Sequence, residues 1–132
     1  MRGQSALETL VTVSALLVFS VPVVLLVLSA SALRLEDLSV FQGQTSVQQL
    51  SDSINEVYLQ GNGSSRSILV QLPSNTRNLT VSGNSLTLYL STQNGVYALS
   101  HPLLANASEY IISRSGLVNM EISMEGNTVV IR

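Results

Sequence analysis

The chain has no cysteine, no lysine, no tryptophan and a single histidine, His101. Without cysteine there can be no disulfide, zinc–thiolate site, iron–sulfur cluster or lipid attached through a thiol. Without lysine there is no Schiff-base chemistry and no lysine–asparagine crosslink. His101 precedes Pro102 in an expected loop, with no acid close in sequence to complete a Ser/His/Asp arrangement. The glycines fall at turn positions and form no phosphate-cradling loop. This inventory assigns no catalytic residue, no metal site and no cofactor, and it reads as a protein that is not an enzyme. Charged residues make up 11% of the chain, and the net charge is −2. The arginines are scattered from Arg2 to Arg132, whereas nucleic-acid binding calls for a clustered basic face. Nucleic acid is therefore discounted as a partner.

Apolar residues are plentiful, at 45% of the chain, and they are concentrated near the N-terminus. Residues 9–33 carry no charge. As a helix they would span roughly 37 Å at about 1.5 Å per residue, more than the ~20 residues a bilayer core requires. A secretory signal peptide has a basic start, a shorter apolar core and a cleavage site after that core. Here the basic part is Arg2 alone, and the apolar run is too long for such a core. The segment is expected to stay on the mature chain as a membrane helix. Pro22 lies inside it, where it removes a backbone hydrogen bond and predicts a kink or a locally unwound turn, with Ser20 close enough to help satisfy the freed backbone.

Arg34-Leu35-Glu36-Asp37 marks the exit from an apolar environment, yet the helical pattern continues. Val47, Leu50, Ile54, Val57 and Tyr58 recur at spacings of three and four on one face. Gly43 is a weak point worth about 1 kcal/mol against alanine. One long helix to residue 60, roughly 80 Å if straight, is favoured over two helices broken near Gly43. Gly61-Asn62-Gly63-Ser64-Ser65 supplies the C-cap and loop.

Beyond that point the period changes to two. Residues 67–72 end at Pro73, 77–82 alternate around Leu79 and Val81, and Gly83-Asn84 forms a tight turn before Leu86, Leu88 and Leu90. Asn94-Gly95 is a type I′ hairpin dipeptide, and Gly126-Asn127 is another turn pair. The expected fold is α+β: a long N-terminal hydrophobic helix followed by a small antiparallel β-sandwich or open barrel of six or seven short strands. The expected organisation is a leader at 1–3, a helix at 4–60 (apolar over 6–33, amphipathic over 34–60) and a β head at 61–132.

Three Asn-X-Ser/Thr sequons begin at Asn62, Asn78 and Asn106, all after the apolar segment, and they make the head a candidate for glycans on an extracytoplasmic face. Glu8 is the most informative side chain. A charge entering lipid costs about 2.5 kcal/mol or more. It either sits at the interface and complements the helix N-terminus or, after cleavage before Gln4, neutralises the new α-amine in its own chain or a neighbour.

Arg2-Gly3 followed by Gln4-Ser5-Ala6-Leu7-Glu8 and an apolar helix resembles the archaeal class III signal peptide of type IV pilin-like proteins. The resemblance implies cleavage after Gly3 by a prepilin peptidase, Gln4 as the mature N-terminus, and Glu8 as the acid that sets subunit register. It departs from bacterial pilins, in which phenylalanine follows the cut. The implied protein is a structural subunit of a surface filament for adhesion or surface contact, held in the cell membrane as a precursor and assembled as a helical homo-oligomer. The alternatives are a single-span membrane protein displaying an extracellular β binding domain, or a minor pilin or pseudopilin of a secretion or assembly apparatus.

Overall fold

The computed structural model describes residues 2–132, the Leu33 side chain excepted. Of the expected leader, Met1 lies outside the described residues. The chain divides into two compact units, the first ending at Glu36 and the second covering Asp37–Arg132. A single helix, α1 (Arg2–Gln60), supplies the first unit and opens the second. It is unbroken at Gly43 and at Pro22, so the unwound turn expected at the proline is not present. The Ser20 hydroxyl donates to the Leu17 carbonyl at 3.2 Å and leaves that of Val18, opposite the proline ring, alone.

In the second unit the helix buries Val47, Leu50, Ile54 and Val57, the face marked by the three-and-four spacing. Burying each of these side chains contributes roughly 1.5–3 kcal/mol. Gly61, at φ 90°, ends the helix in the left-handed conformation, and its N–H returns to the Tyr58 carbonyl at 3.2 Å. Glycine reaches this conformation without the steric cost a side chain would add.

The rest of the unit is one five-stranded sheet: β1 (Ser65–Leu72), β2 (Thr76–Thr92), β3 (Gly95–Ile112), β4 (Gly116–Glu125) and β5 (Thr128–Ile131), in the spatial order β1-β4-β5-β3-β2. The α+β layout with a sheet head is the expected one, but the head differs from a two-sheet sandwich. One face of the sheet, carrying Val70, Leu72, Leu88, Met120 and Ile122 among others, packs with the helix stripe in a single core. The opposite face carries polar side chains such as Ser67, Asn119 and Glu121, all exposed. The helix is thus the second layer, and no second sheet is needed to cover the apolar face. The sheet is also mixed. β5 pairs antiparallel with β4 through the turn at Gly126 (φ 66°) but lies parallel to β3 at Ala107↔Val129.

β2 folds back on itself. Ser91 N–H donates to the Asn75 carbonyl at 2.8 Å, and Asn75 Nδ2 donates to the Ser91 carbonyl at 3.0 Å across a separation of 16 residues. A straight strand of that length would hold the two residues roughly 50 Å apart at about 3.3 Å per residue. The reversal falls at the register irregularity between Val81 and Ser85, where Gly83 has φ 57° and the Ser85 hydroxyl donates to the Ser82 carbonyl at 3.2 Å. Gly83-Asn84, expected as a tight turn between two strands, lies instead inside β2 as a bend at this irregularity. β3 follows the bend, pairing residues 95–102 with the second half of β2 and 107–112 with the first. Each long strand therefore contributes two short segments, so the turn signals imply more strands than five.

His101 and Pro102 lie within β3 rather than in a loop. Pro102 pairs with Ser85 beside the irregularity, a position where the missing N–H is tolerated.

Candidate assembly surface

The large apolar side chains of the first unit are exposed: Leu10 at 69%, Phe19 at 75% and Leu26 at 69%. Among the described residues, this is the one helix long and apolar enough to cross a membrane. Five of its hydroxyls, that of Ser20 among them, are turned back onto the helix itself. Thr9 donates to the Ser5 carbonyl at 2.9 Å, Thr12 to Glu8 at 2.8 Å, Ser29 to Leu26 at 2.9 Å and Ser31 to Val27 at 2.8 Å. A backbone that satisfies its own N–H groups, with most side-chain hydroxyls bonded to it, presents a mainly hydrocarbon surface. The surface suits lipid or closely packed apolar helices, and it is costly in water.

Gly3, Gln4 and Glu8 occupy the first turns of α1 and are exposed. Glu8 forms no ion pair among the described residues. Gln4 and Glu8 stand four residues apart, which places them on the same helix face. A new α-amine at Gln4 would lie one turn from the Glu8 carboxylate. Among the described residues no cation is paired with that carboxylate.

The sequons fall on separate elements of the second unit. Asn62 is exposed in the loop after the helix, with its side-chain oxygen accepting the Gly126 N–H at 3.0 Å. Asn78, on β2, is half-buried, and its amide donates to the Thr80 hydroxyl at 3.2 Å. Asn106 is exposed on β3.

Polar helix residues tie α1 to the sheet. Ser46 lies between the carbonyls of Gln42 and Gln71, Gln49 Nε2 donates to the Leu69 carbonyl at 3.4 Å, and the Leu104 N–H donates to Asn55 Oδ1 at 2.9 Å. The contacts to Leu69 and Gln71 cover backbone on β1, which stands at one edge of the sheet. Such edges are open to pairing with other chains unless capped. Glu56 and Arg66 form an ion pair across the same junction.

Sequence reasoning missed the partner of the histidine. His101 Nδ1 stands 3.0 Å from Ser51 Oγ and 3.0 Å from the Pro102 carbonyl. Ser51 is fully buried, so no substrate can reach its hydroxyl. The pair joins helix to strand and lacks the open nucleophile that acyl transfer requires. The signal was present in the sequence, since Ser51 follows Leu50 on the buried helix face. No group of three or more potential metal-ligating side chains exists among the described residues.

Comparison with protein-family models, with curated proteins and with solved structures finds no match to this chain.

Proposed function

We propose that this protein is a structural subunit of an archaeal type IV pilus-like surface filament, cut after Gly3 and assembled through the apolar part of α1. One observation carries the reading: the described large apolar side chains of the first unit are exposed, and most of its hydroxyls are bonded to its own backbone. Such a surface needs an apolar environment all round. Lipid supplies that environment before assembly, and a bundle of identical helices supplies it afterwards. Each CH₂ kept from water contributes roughly 0.8 kcal/mol, so the bundle needs no bilayer to persist. The role is structural rather than catalytic.

The Gly3–Gln4 bond lies in the first helical turn, where the leading N–H groups lack intrahelical partners and the end frays, and a peptidase can reach it there. The new amine then lies one turn from Glu8, on its own helix or facing that of a neighbour. A buried pair of this kind fixes register more than it adds stability. The head faces outward at the cell surface, with the exposed sequons at Asn62 and Asn106 open to glycans.

Mass spectrometry of the mature N-terminus tests the reading. Gln4, or its cyclised pyroglutamate form, is the expected first residue. An intact Met1 would sink the pilin reading and leave a single-span anchored protein displaying its head. Recovery of the chain in filaments sheared from cells distinguishes an abundant subunit from a minor pilin or pseudopilin, which stays with the membrane.

A further inference from the structure

The reversal of β2 creates a cleft that no sequence motif announces. Asn78 and Thr80 lie on the first half of that strand, Tyr89 lies on the second, and Val96 follows the hairpin turn. With Arg77 and Ser113 they line an open cleft of about 570 Å³, within the size range of small-molecule sites. Its lining contains no carboxylate, although the chain as a whole is net acidic. Arg77 is exposed and has no carboxylate partner among the described residues. Arg66 and Arg132, by contrast, pair with Glu56 and Glu125. Arg114, next to Ser113, is likewise exposed and without a carboxylate partner.

We infer that this cleft binds a saccharide bearing a carboxylate, with the Arg77 guanidinium on the carboxylate and the Tyr89 ring beneath the sugar. Each part of the lining matches one feature of such a ligand. A guanidinium presents parallel N–H donors that match the two oxygens of a carboxylate. An aromatic ring offers a flat apolar surface to the C–H face of a pyranose, while its hydroxyl stays available to a polar partner. Val96 extends that apolar floor. The Thr80 and Ser113 hydroxyls both donate and accept, as sugar hydroxyls do. The Asn78 amide already donates to Thr80, which orients the threonine oxygen and leaves the asparagine carbonyl for the ligand. A simple anion would use Arg77 and leave the ring idle, and a neutral sugar would leave the guanidinium unpaired. The site does not depend on whether the chain forms filaments.

The test is calorimetric titration of the full chain in detergent with three probes: a β-1,4-linked glucuronic acid oligomer, the uncharged glucose oligomer of the same linkage, and acetate. The acidic oligomer should bind saturably and at least about tenfold more tightly than either other probe, as expected when a charged hydrogen bond and a stacking contact act together. Arg77→Gln should weaken the acidic oligomer about tenfold or more and bring it level with the uncharged one, and Tyr89→Ala should weaken both oligomers. Thermal melting of each variant checks that the head remains folded, and Tyr89→Phe, which keeps the ring, should retain most binding. Equal affinity for acetate, unchanged binding by Arg77→Gln, no saturable binding, or a glycan found covalently on Asn78 would each overturn the assignment.

Discussion

Gly43 faces Leu99 so closely that a Cβ added to it would come within 3.0 Å of the leucine Cδ1, with Leu90 and Leu88 at 3.1 and 3.2 Å. The glycine that weakens the helix locally is what allows helix and sheet to touch at that level. Gly43→Val is therefore expected to destabilise the head by about 1–3 kcal/mol, the usual cost of overpacking, despite removing a helix-weakening residue. Denaturant unfolding followed by the tyrosine signal would measure it. A stabilised variant would mean that the leucine tips yield freely.

At the other end of the same stripe, Ile54 is fully buried. Ile54→Ala should cost about 2–5 kcal/mol, a large fraction of a small domain's stability. Partial melting of the head with the apolar helix still intact by circular dichroism is the expected signature.

Ser51→Ala removes one of two partners of His101 Nδ1 and keeps the other, the Pro102 carbonyl. The expected loss is about 1 kcal/mol. The His101 ring should settle with Nδ1 protonated toward Pro102, which ¹⁵N chemical shifts of the imidazole would report. An unchanged spectrum would show that the serine does not govern the ring.

Under the proposed cut after Gly3, the role of Glu8 depends on the chemistry of the terminus that the cut creates. If Gln4 keeps a free amine, Glu8→Gln should leave membrane insertion intact and sharply reduce filament yield in sheared fractions, because it removes the only acid on the apolar segment. If Gln4 cyclises, the amine is gone and Glu8→Gln should be tolerated. A severe assembly defect together with a pyroglutamate terminus would contradict this logic.

Among the sequons, Asn106 is exposed and its side chain makes no hydrogen bond among the described residues, whereas the Asn78 amide is half-buried and engaged with Thr80. Glycopeptide mapping of the native protein should find Asn106 occupied before Asn78. The reverse order would show that the strand opens before modification.

The sequence makes the helix legible because a helix writes itself locally. Leu50, Ile54 and Val57 recur at the helical period, and Gly61 stops the chain where the pattern ends. The candidate surface is equally local, since a hydrocarbon exterior is a property of consecutive residues. What covers the sheet is not local. Leu86, Leu88 and Leu90 announce a buried face, but they would do so equally under a second sheet or under a helix, and the helix stripe had no assigned partner. The bend at Gly83 is visible as a turn, yet nothing in the residues between Asn75 and Ser91 says that these two will bond. The cleft depends on that bend, bringing residues 77, 78, 80, 89, 96 and 113 together from separate stretches, so it had no signature in the sequence.

β5, the last strand in chain order, occupies the middle of the sheet, between β4 and β3. Without it the sheet would be two separate ladders, β1 with β4 and β2 with β3, and the edges that it joins would be unpaired. During synthesis those edges emerge and wait for the strand that joins them, and during that interval like chains are the most available partners. Under the proposed assembly through the apolar helix, the head has to close these edges before neighbouring chains reach them. The few residues of Thr128–Ile131 set when that hazard ends.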